Sequence, residues 1–235
     1  PGRQDDLVRA VAVANPNTVV LINSGSPVIL PWRDEVRAIL LTYFAGQEMG
    51  DAIVDMLLGR TEPGGRLPTT WAATEFDVPV LDTAPKDGVV RYDEGIHIGY
   101  RAFLKQGTQI AYPFGFGLGY TSWSVAVDNT VDFSAESDAD AHVELTLTNT
   151  GSRAGKQVVQ VYAERVTSAV DRPVKWLVGF STVHVDAGAS ARLVIPVSKR
   201  SLAFWDGEWV YEPGEYTLTV GLSVTDTGAT TTVSL

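Results

Sequence analysis

Near Leu118 the apolar residues of this 235-residue chain stop recurring at helical and buried-run spacing and begin to alternate. Upstream, Leu7, Val11 and Ala14 fall on one helix face behind the acidic start Gln4-Asp5-Asp6, and Asn15-Pro16 stops that helix. The runs "NTVVLINSG" and "AILLTYFAG" are short, apolar and bounded by turn formers, as expected of strands buried on both faces of a parallel sheet. Between them a loop and a short helix from Trp32 to Arg37 are expected, giving a right-handed βαβ crossover. Downstream, "WSVAVD", "AHVELTLTN", "QVVQVYAER", "VKWLVGFSTVHV", "ARLVIPVS", "EWVYE" and "EYTLTVGLSV" are punctuated by NTG, DAG, DG and EPG turns. About seven short strands at this spacing predict an antiparallel β-sandwich, and Tyr216 after Pro213-Gly214 fits a tyrosine corner.

Residues 42–59, "TYFAGQEMGDAIVDMLLG", place Glu48 where a buried run gives way to a second helical pattern. Met49, Ala52, Ile53, Met56 and Leu57 form an apolar stripe, with Glu48, Asp51 and Asp55 opposite; Gly59 and Pro63 end the helix. "TEPGGRLPTTW" is turn chemistry. Residues 72 to 117 read as a long surface excursion with one short strand around "GIHIGYRAF". The expected partition is 1–75 for half of an α/β-sandwich domain, 76–117 for the excursion and 118–235 for the β-sandwich. The first part has a packing problem, because two parallel strands leave both sheet faces and both edges in need of cover. Together with the opening "PGRQDDLV", which reads as the middle of something longer, this predicts a piece of a larger polypeptide.

The net charge of −10 is spread over both halves and argues against nucleic acid or anionic lipid as partners. With no cysteine there is neither a disulfide scaffold nor a thiolate zinc site. His97, His142 and His184 are far apart and lack paired ligand spacing, so no metal and no cofactor are expected. No apolar stretch approaches the roughly 20 residues needed to cross a bilayer. Export and localisation are not readable from these residues.

In order along the chain, "PGRQDDLVRAV…NPNTVVLINSGSPV", "ILLTYFAGQEMGDAIVDMLLGRTEPGGRLPTTW", "RYDEGIHIGYRAF", "YPFGFGLGYTSW" and "LTLTNTGSRAGKQVVQVY" with "EPGEYTLTVG" resemble the C-terminal part of glycoside hydrolase family 3, the β-glucosidase and β-xylosidase group. The resemblance implies a partial α/β-sandwich, its parallel sheet incomplete in this chain, followed by a fibronectin type III-like antiparallel β-sandwich. It implies a retaining, exo-acting β-glycosidase acting on terminal β-linked sugars through two carboxylates about 5–5.5 Å apart. In that family the nucleophilic aspartate lies on a preceding barrel and the acid/base glutamate upstream of the segment matching "PGRQ". The resemblance therefore assigns no catalytic residue here and identifies no substrate-binding residue. The implied partners are the barrel and the remaining α/β-sandwich strands, in the same or a second chain, and a β-linked oligosaccharide or glucoside; a homo-oligomer is also compatible. Phe116 and Gly119 stand where His and Ser are common, and His97 replaces a more usual apolar or aromatic residue.

Four features invite a functional reading. Glu48 would need a raised pKa to act as an acid, whereas the first turn of a helix favours its charged form, so it reads as structural. Asp93 and Glu94 are adjacent, point to opposite faces if in a strand, and read as salt links to Arg91 or Arg101, with the rim of a sugar site as the functional alternative. "GFGLG", Gly115 to Gly119, has the wrong spacing for a phosphate loop and reads as an interdomain turn. Trp205, Trp209 and Tyr211 flank the hairpin signal Asp206-Gly207. If exposed and coplanar they would favour a non-catalytic carbohydrate-binding or interaction module; if buried they would count against it.

Overall fold

The computed structural model describes residues 2–80, 83–133 and 140–235; the rest of the 76–117 and 118–235 spans lies outside the described residues. Helix α1 (Gln4–Ala14) leads into strand β1 (Val19–Ile22), which pairs in parallel with β2 (Ala38–Leu41), a two-stranded sheet among the described residues. The connection between them is turns, not the expected helix. Arg33 and Glu35 donate backbone bonds to Leu30 and Trp32, and the Trp32 indole is buried with Nε1 donating to Asp5 Oδ1 at 2.7 Å. Anchoring that ring leaves too few residues before β2 for a helix to complete its bonds. Leu30, Trp32 and Trp71 form the core of this half, with Val20, Ile22 and Ile39 packed against it.

Helix α2 (Met49–Leu57) ends as expected, with Gly59 in the left-handed region at φ +69. Yet no residue of α2 is buried, and Val54 and Leu57 are exposed along with Leu7 and Val13 of α1. The apolar stripe exists, but it is only half covered: Met49, Ile53 and Met56 are partly buried, while Ala52 and Leu57 stay exposed. Strand β3 (Trp71–Ala72) pairs with β4 (Ile110–Tyr112). The strand expected around "GIHIGYRAF" is instead turn followed by helix α3 (Tyr100–Gln106), because Gly99 (φ +52) and Gly107 (φ +65) bracket it and Ala102 and Phe103 bury one face.

The β-sandwich packs a three-stranded sheet, β5 (Trp123–Val131), β6 (Ala141–Asn149) and β9 (Ser190–Val197), on a four-stranded one. The second sheet runs β13 (Ala229–Ser234), β12 (Glu215–Gly221), β7 (Gly155–Glu164), β8 (Trp176–Val185). On β6 every second residue from Ala141 to Leu147 is fully buried, the alternation that the sequence displays. Tyr216 is completely buried and its hydroxyl donates to the Glu212 carbonyl at 2.9 Å, the expected corner. Both ends of the sandwich are stitched shut. Thr130 and Thr231 share a hydroxyl bond of 2.8 Å, Ser234 N–H donates to Asp132, and Gly179 of β8 lies so close to the Pro196 carbonyl of β9 that a Cβ would stand 2.6 Å from it.

Two segments depart from the expected strand set. "EWVYE" is not a sandwich strand: among the described residues β10 (Phe204–Trp205) and β11 (Trp209–Val210) pair only with each other, after a single helical turn α4 (Lys199–Leu202). The seventh sandwich strand is β13, a run of threonines whose β-branched chains suit a pleated edge but give no apolar alternation.

Candidate functional site

β1 and β2 point the same way, so Ile22 and Leu41 mark one carboxyl edge, followed by Asn23–Pro27 and Thr42–Gly46. In open α/β sheets this edge is where ligands bind. The two loops are tied together: the Thr42 N–H and hydroxyl both donate to the Ile22 carbonyl, at 2.9 and 3.0 Å, and the Asn23 amide lies 3.7 Å from the Met49 sulfur. Tyr43 takes a left-handed φ of 48, and Phe44 behind it is 80% exposed. Glu48 sits at the N-cap of α2 without a side-chain capping bond and is exposed. Nothing apolar encloses it and no second carboxylate faces it in an ion pair or hydrogen bond among the described residues, so the geometry of a proton-donating acid is missing. Glu48→Gln is expected to shift stability by less than about 1 kcal/mol, the scale of a helix-end charge, as read by urea unfolding.

Asp93 and Glu94 lie in a turn, not a strand, and neither pairs with Arg91 or Arg101 among the described residues; Arg101 instead lies 5.9 Å from the Tyr100 ring centre. The link made by this segment comes from His97, which sequence reading left as a departure of type only. Its buried ring places Nε2 2.7 Å from Asp171 of the sandwich, and that bond, with the charges of His97 and Lys105, holds the Asp171 carboxyl below its ordinary pKa. Beside it the Tyr100 hydroxyl accepts the Leu177 N–H, and its ring stacks on Phe114 at 4.7 Å.

The same seam continues through "GFGLG". A Cβ on Gly115 would stand 2.0 Å from Gln160 Oε1, on Gly117 2.5 Å from the Gly65 carbonyl, and on Gly119 2.1 Å from Glu62 Oε1. The turn is glycine-rich because two parts of the chain press on it, and no phosphate is needed to explain it. Glu62 accepts the N–H groups of Tyr120 (2.8 Å) and Lys156 (2.7 Å), and Arg66 donates twice to Gln157. Burial lowers the Arg66 pKa, partly offset by Glu62. Tyr120 and Arg153 cap the end of α2 through the Met56 and Gly59 carbonyls. A cleft of about 540 Å³ opens along this seam beside Phe116, Trp123, Ser223 and Asp226. Its acid is already spent, since Asp226 accepts the N–H groups of Leu222 and Gly228.

Trp205 and Trp209 are exposed, but their planes meet at 67° with centres 5.1 Å apart, and the Arg200 guanidinium covers Trp209 at 3.5 Å. They are not a coplanar platform. Among the described residues no group of three His, Asp or Glu is placed to hold a metal ion, and no helix is long and apolar enough to cross a membrane.

Among the described residues, a parallel strand pair with two loops at its carboxyl edge is joined by polar bonds to an antiparallel β-sandwich, the layout of an α/β unit followed by an all-β one. The chain belongs to glycosyl hydrolase family 3: residues 1–120 match the glycosyl hydrolase family 3 C-terminal domain, and residues 157–224 match a fibronectin type III-like domain. It is 38% identical to a beta-glucosidase of Rhizobium radiobacter, covering 100% of this chain and 30% of that protein, and 39% identical to one of Kluyveromyces marxianus, covering 96% and 27%. Among solved structures, DesR, a beta-glucosidase from Streptomyces venezuelae in complex with D-glucose, superposes with a TM-score of 0.94 at 36% identity, over 100% of this chain and 31% of that one. Beta-glucosidase 3B from Thermotoga neapolitana superposes at 0.90 and 37%, over 99% and 34%. The chain thus spans about a third or less of the length of these relatives.

Proposed function

We propose that this chain is the C-terminal part of a retaining, exo-acting β-glucosidase, completing its α/β-sandwich and bracing it with the fibronectin-like sandwich. The observation that carries the reading is the likeness to beta-glucosidases along nearly the whole chain, which spans only about 30% of their length. The nucleophilic aspartate and the acid/base glutamate belong to a preceding portion, as does most of the sugar pocket. Cover for α1, α2 and the open edges of β1 and β2 comes from the same portion, and a boundary near residue 118 is supported by the change from mixed helix and strand to nearly all strand. The substrate class is a terminal β-linked glucoside, and no nucleic acid, membrane, metal or cofactor enters the reading.

The test is hydrolysis of p-nitrophenyl β-D-glucoside by this chain alone and together with the preceding portion. Turnover is expected only with both present. Turnover by the chain alone would overturn the assignment, and Glu48, Asp93 and Glu94 would be the residues to replace. The alternative of a non-catalytic carbohydrate-binding module loses its main support from the crossed planes of Trp205 and Trp209.

A further inference from the structure

We propose that the turn between β6 and β7, residues 150–154, is a socket built for the end of α2, and that α2 stays folded only while its end is seated there. This holds whatever reaction the whole protein performs.

The helix has little support of its own. It is nine residues long, below the roughly 12–15 at which an isolated helix is marginal in water, and none of its residues is more than partly buried. Its N-cap Glu48 makes no side-chain capping bond, and its last turn carries no basic residue to meet the carbonyls there. The missing cation arrives from the sandwich. Arg153, 94 residues beyond Gly59, donates to the Gly59 carbonyl, and the Tyr120 hydroxyl donates to the Met56 carbonyl at 2.6 Å. The Arg153 guanidinium also lies 5.3 Å from the centre of the Tyr120 ring, so the two halves of this cap hold each other. Just past the helix, the Glu62 carboxylate accepts the N–H groups of Tyr120 and Lys156, at 2.8 and 2.7 Å.

The socket is shaped by the sandwich itself. Asn149 is completely buried and engages its whole amide. Its Nδ2 donates to the carbonyls of Arg153 (2.7 Å) and Val185 (3.0 Å), while Oδ1 accepts the Thr121 hydroxyl and the Gly151 N–H (3.0 Å). A buried amide with all four positions filled holds the turn in one conformation. Two glycines make the fit close: a Cβ on Gly151 would stand 2.9 Å from the Ser122 nitrogen, and on Gly155 2.4 Å from Glu62 Oε2. In "NTGSRAG", then, Asn149 sets the turn, Gly151 and Gly155 admit its neighbours, and Arg153 meets the helix. A lone exposed arginine contact contributes little. Here the backbone that carries Arg153 is already fixed, and every one of these bonds falls within residues 56–62.

The experiment follows hydrogen exchange in this chain joined to its preceding portion. The amides to read are Leu58, Gly59 and Arg60, which close the helix end on the carbonyls of Val54, Met56 and Asp55. Arg153 is exposed, so its replacement removes no core packing. In Arg153→Ala these amides are expected to exchange about tenfold faster, the scale of one bond to a charged group, with amides in the middle of β6 and β7 unchanged. Glu62→Ala, which empties the other side of the socket, is expected to act in the same direction. Asp171→Asn breaks a different link of the seam, the one to His97, and should leave the helix amides as they were. Unchanged exchange at the helix end in either Arg153→Ala or Glu62→Ala overturns the proposal. So does an equal rise in β6 and β7, which marks loosening of the whole sandwich, or an equal rise in Asp171→Asn.

Discussion

Replacing Glu212 with alanine is expected to destabilise the protein by about 3 kcal/mol, the cost of leaving buried charges without their partner. Glu212 precedes the Pro-Gly corner, and its carboxylate accepts the Ser168 hydroxyl (2.7 Å), the Ala169 N–H (2.7 Å) and Arg172 Nε (3.1 Å), with Arg165 at 3.5 Å. Side-chain exposure is 7% for Arg172 and 10% for Arg165, so neither can recover full hydration once the acid is gone. Both guanidinium groups also lie over the buried Tyr216 ring, at 5.7 and 4.6 Å, which ties the network to the corner. Burial alone would raise the Glu212 pKa, but the bonds from Ala169, Ser168 and Arg172 and the charge of Arg165 together lower it. A carboxyl depressed in the folded state stabilises fully above its unfolded pKa of about 4.3 and loses that contribution as pH falls through the folded value. The difference between the unmodified protein and Glu212→Ala should therefore be constant near neutrality and shrink below about pH 4. Urea midpoints across that range, followed by tryptophan fluorescence, measure it; a difference independent of pH would show that the charge is not what stabilises.

Gly115→Ala should cost a similar amount, about 3 kcal/mol, for two separate reasons. At φ +82 an L side chain is strained by about 1–2 kcal/mol. The new Cβ also occupies the place of the Gln160 amide, which donates to the carbonyls of Gly115 (3.1 Å) and Leu222 (2.9 Å) and receives the Tyr162 hydroxyl. Displacing a buried amide leaves those groups unpaired, at about 1–3 kcal/mol. Gly65→Ala is the control, since a Cβ there meets nothing within 4 Å. Equal melting midpoints for the two variants would refute the argument.

These two sites show where sequence reading stops. The sandwich was legible because its strands carry a two-residue apolar period, and Tyr216 because the corner is local to four residues. α1, α2 and the parallel pair were legible for the same reason, each being a pattern of near neighbours. The helix at Tyr100–Gln106 was not: its apolar residues also fit a short strand, and only the glycines on both sides decide. β13 escaped because threonine is polar by type and strand-forming by shape. Of the seam, only the interdomain turn at Gly115 to Gly119 was legible, and its side-chain pairings were not. Glu62 and Lys156, Arg66 and Gln157, or His97 and Asp171 are separated by 74 to 94 residues, and nothing at either position announces the other.

The stitching at both ends of the sandwich has a consequence for how the molecule meets its own copies. At the sandwich, β13 is tied beside β5 and β8 closes on β9, which hampers a neighbour's approach, whereas among the described residues β1 and β2 pair with each other alone and each leaves an outer row of backbone donors and acceptors unpaired. Stickiness is thus concentrated in one half of the polypeptide, next to the apolar residues that α1 and α2 leave exposed. Any clumping of these residues in isolation would run first through that half, with the fibronectin-like half carried along.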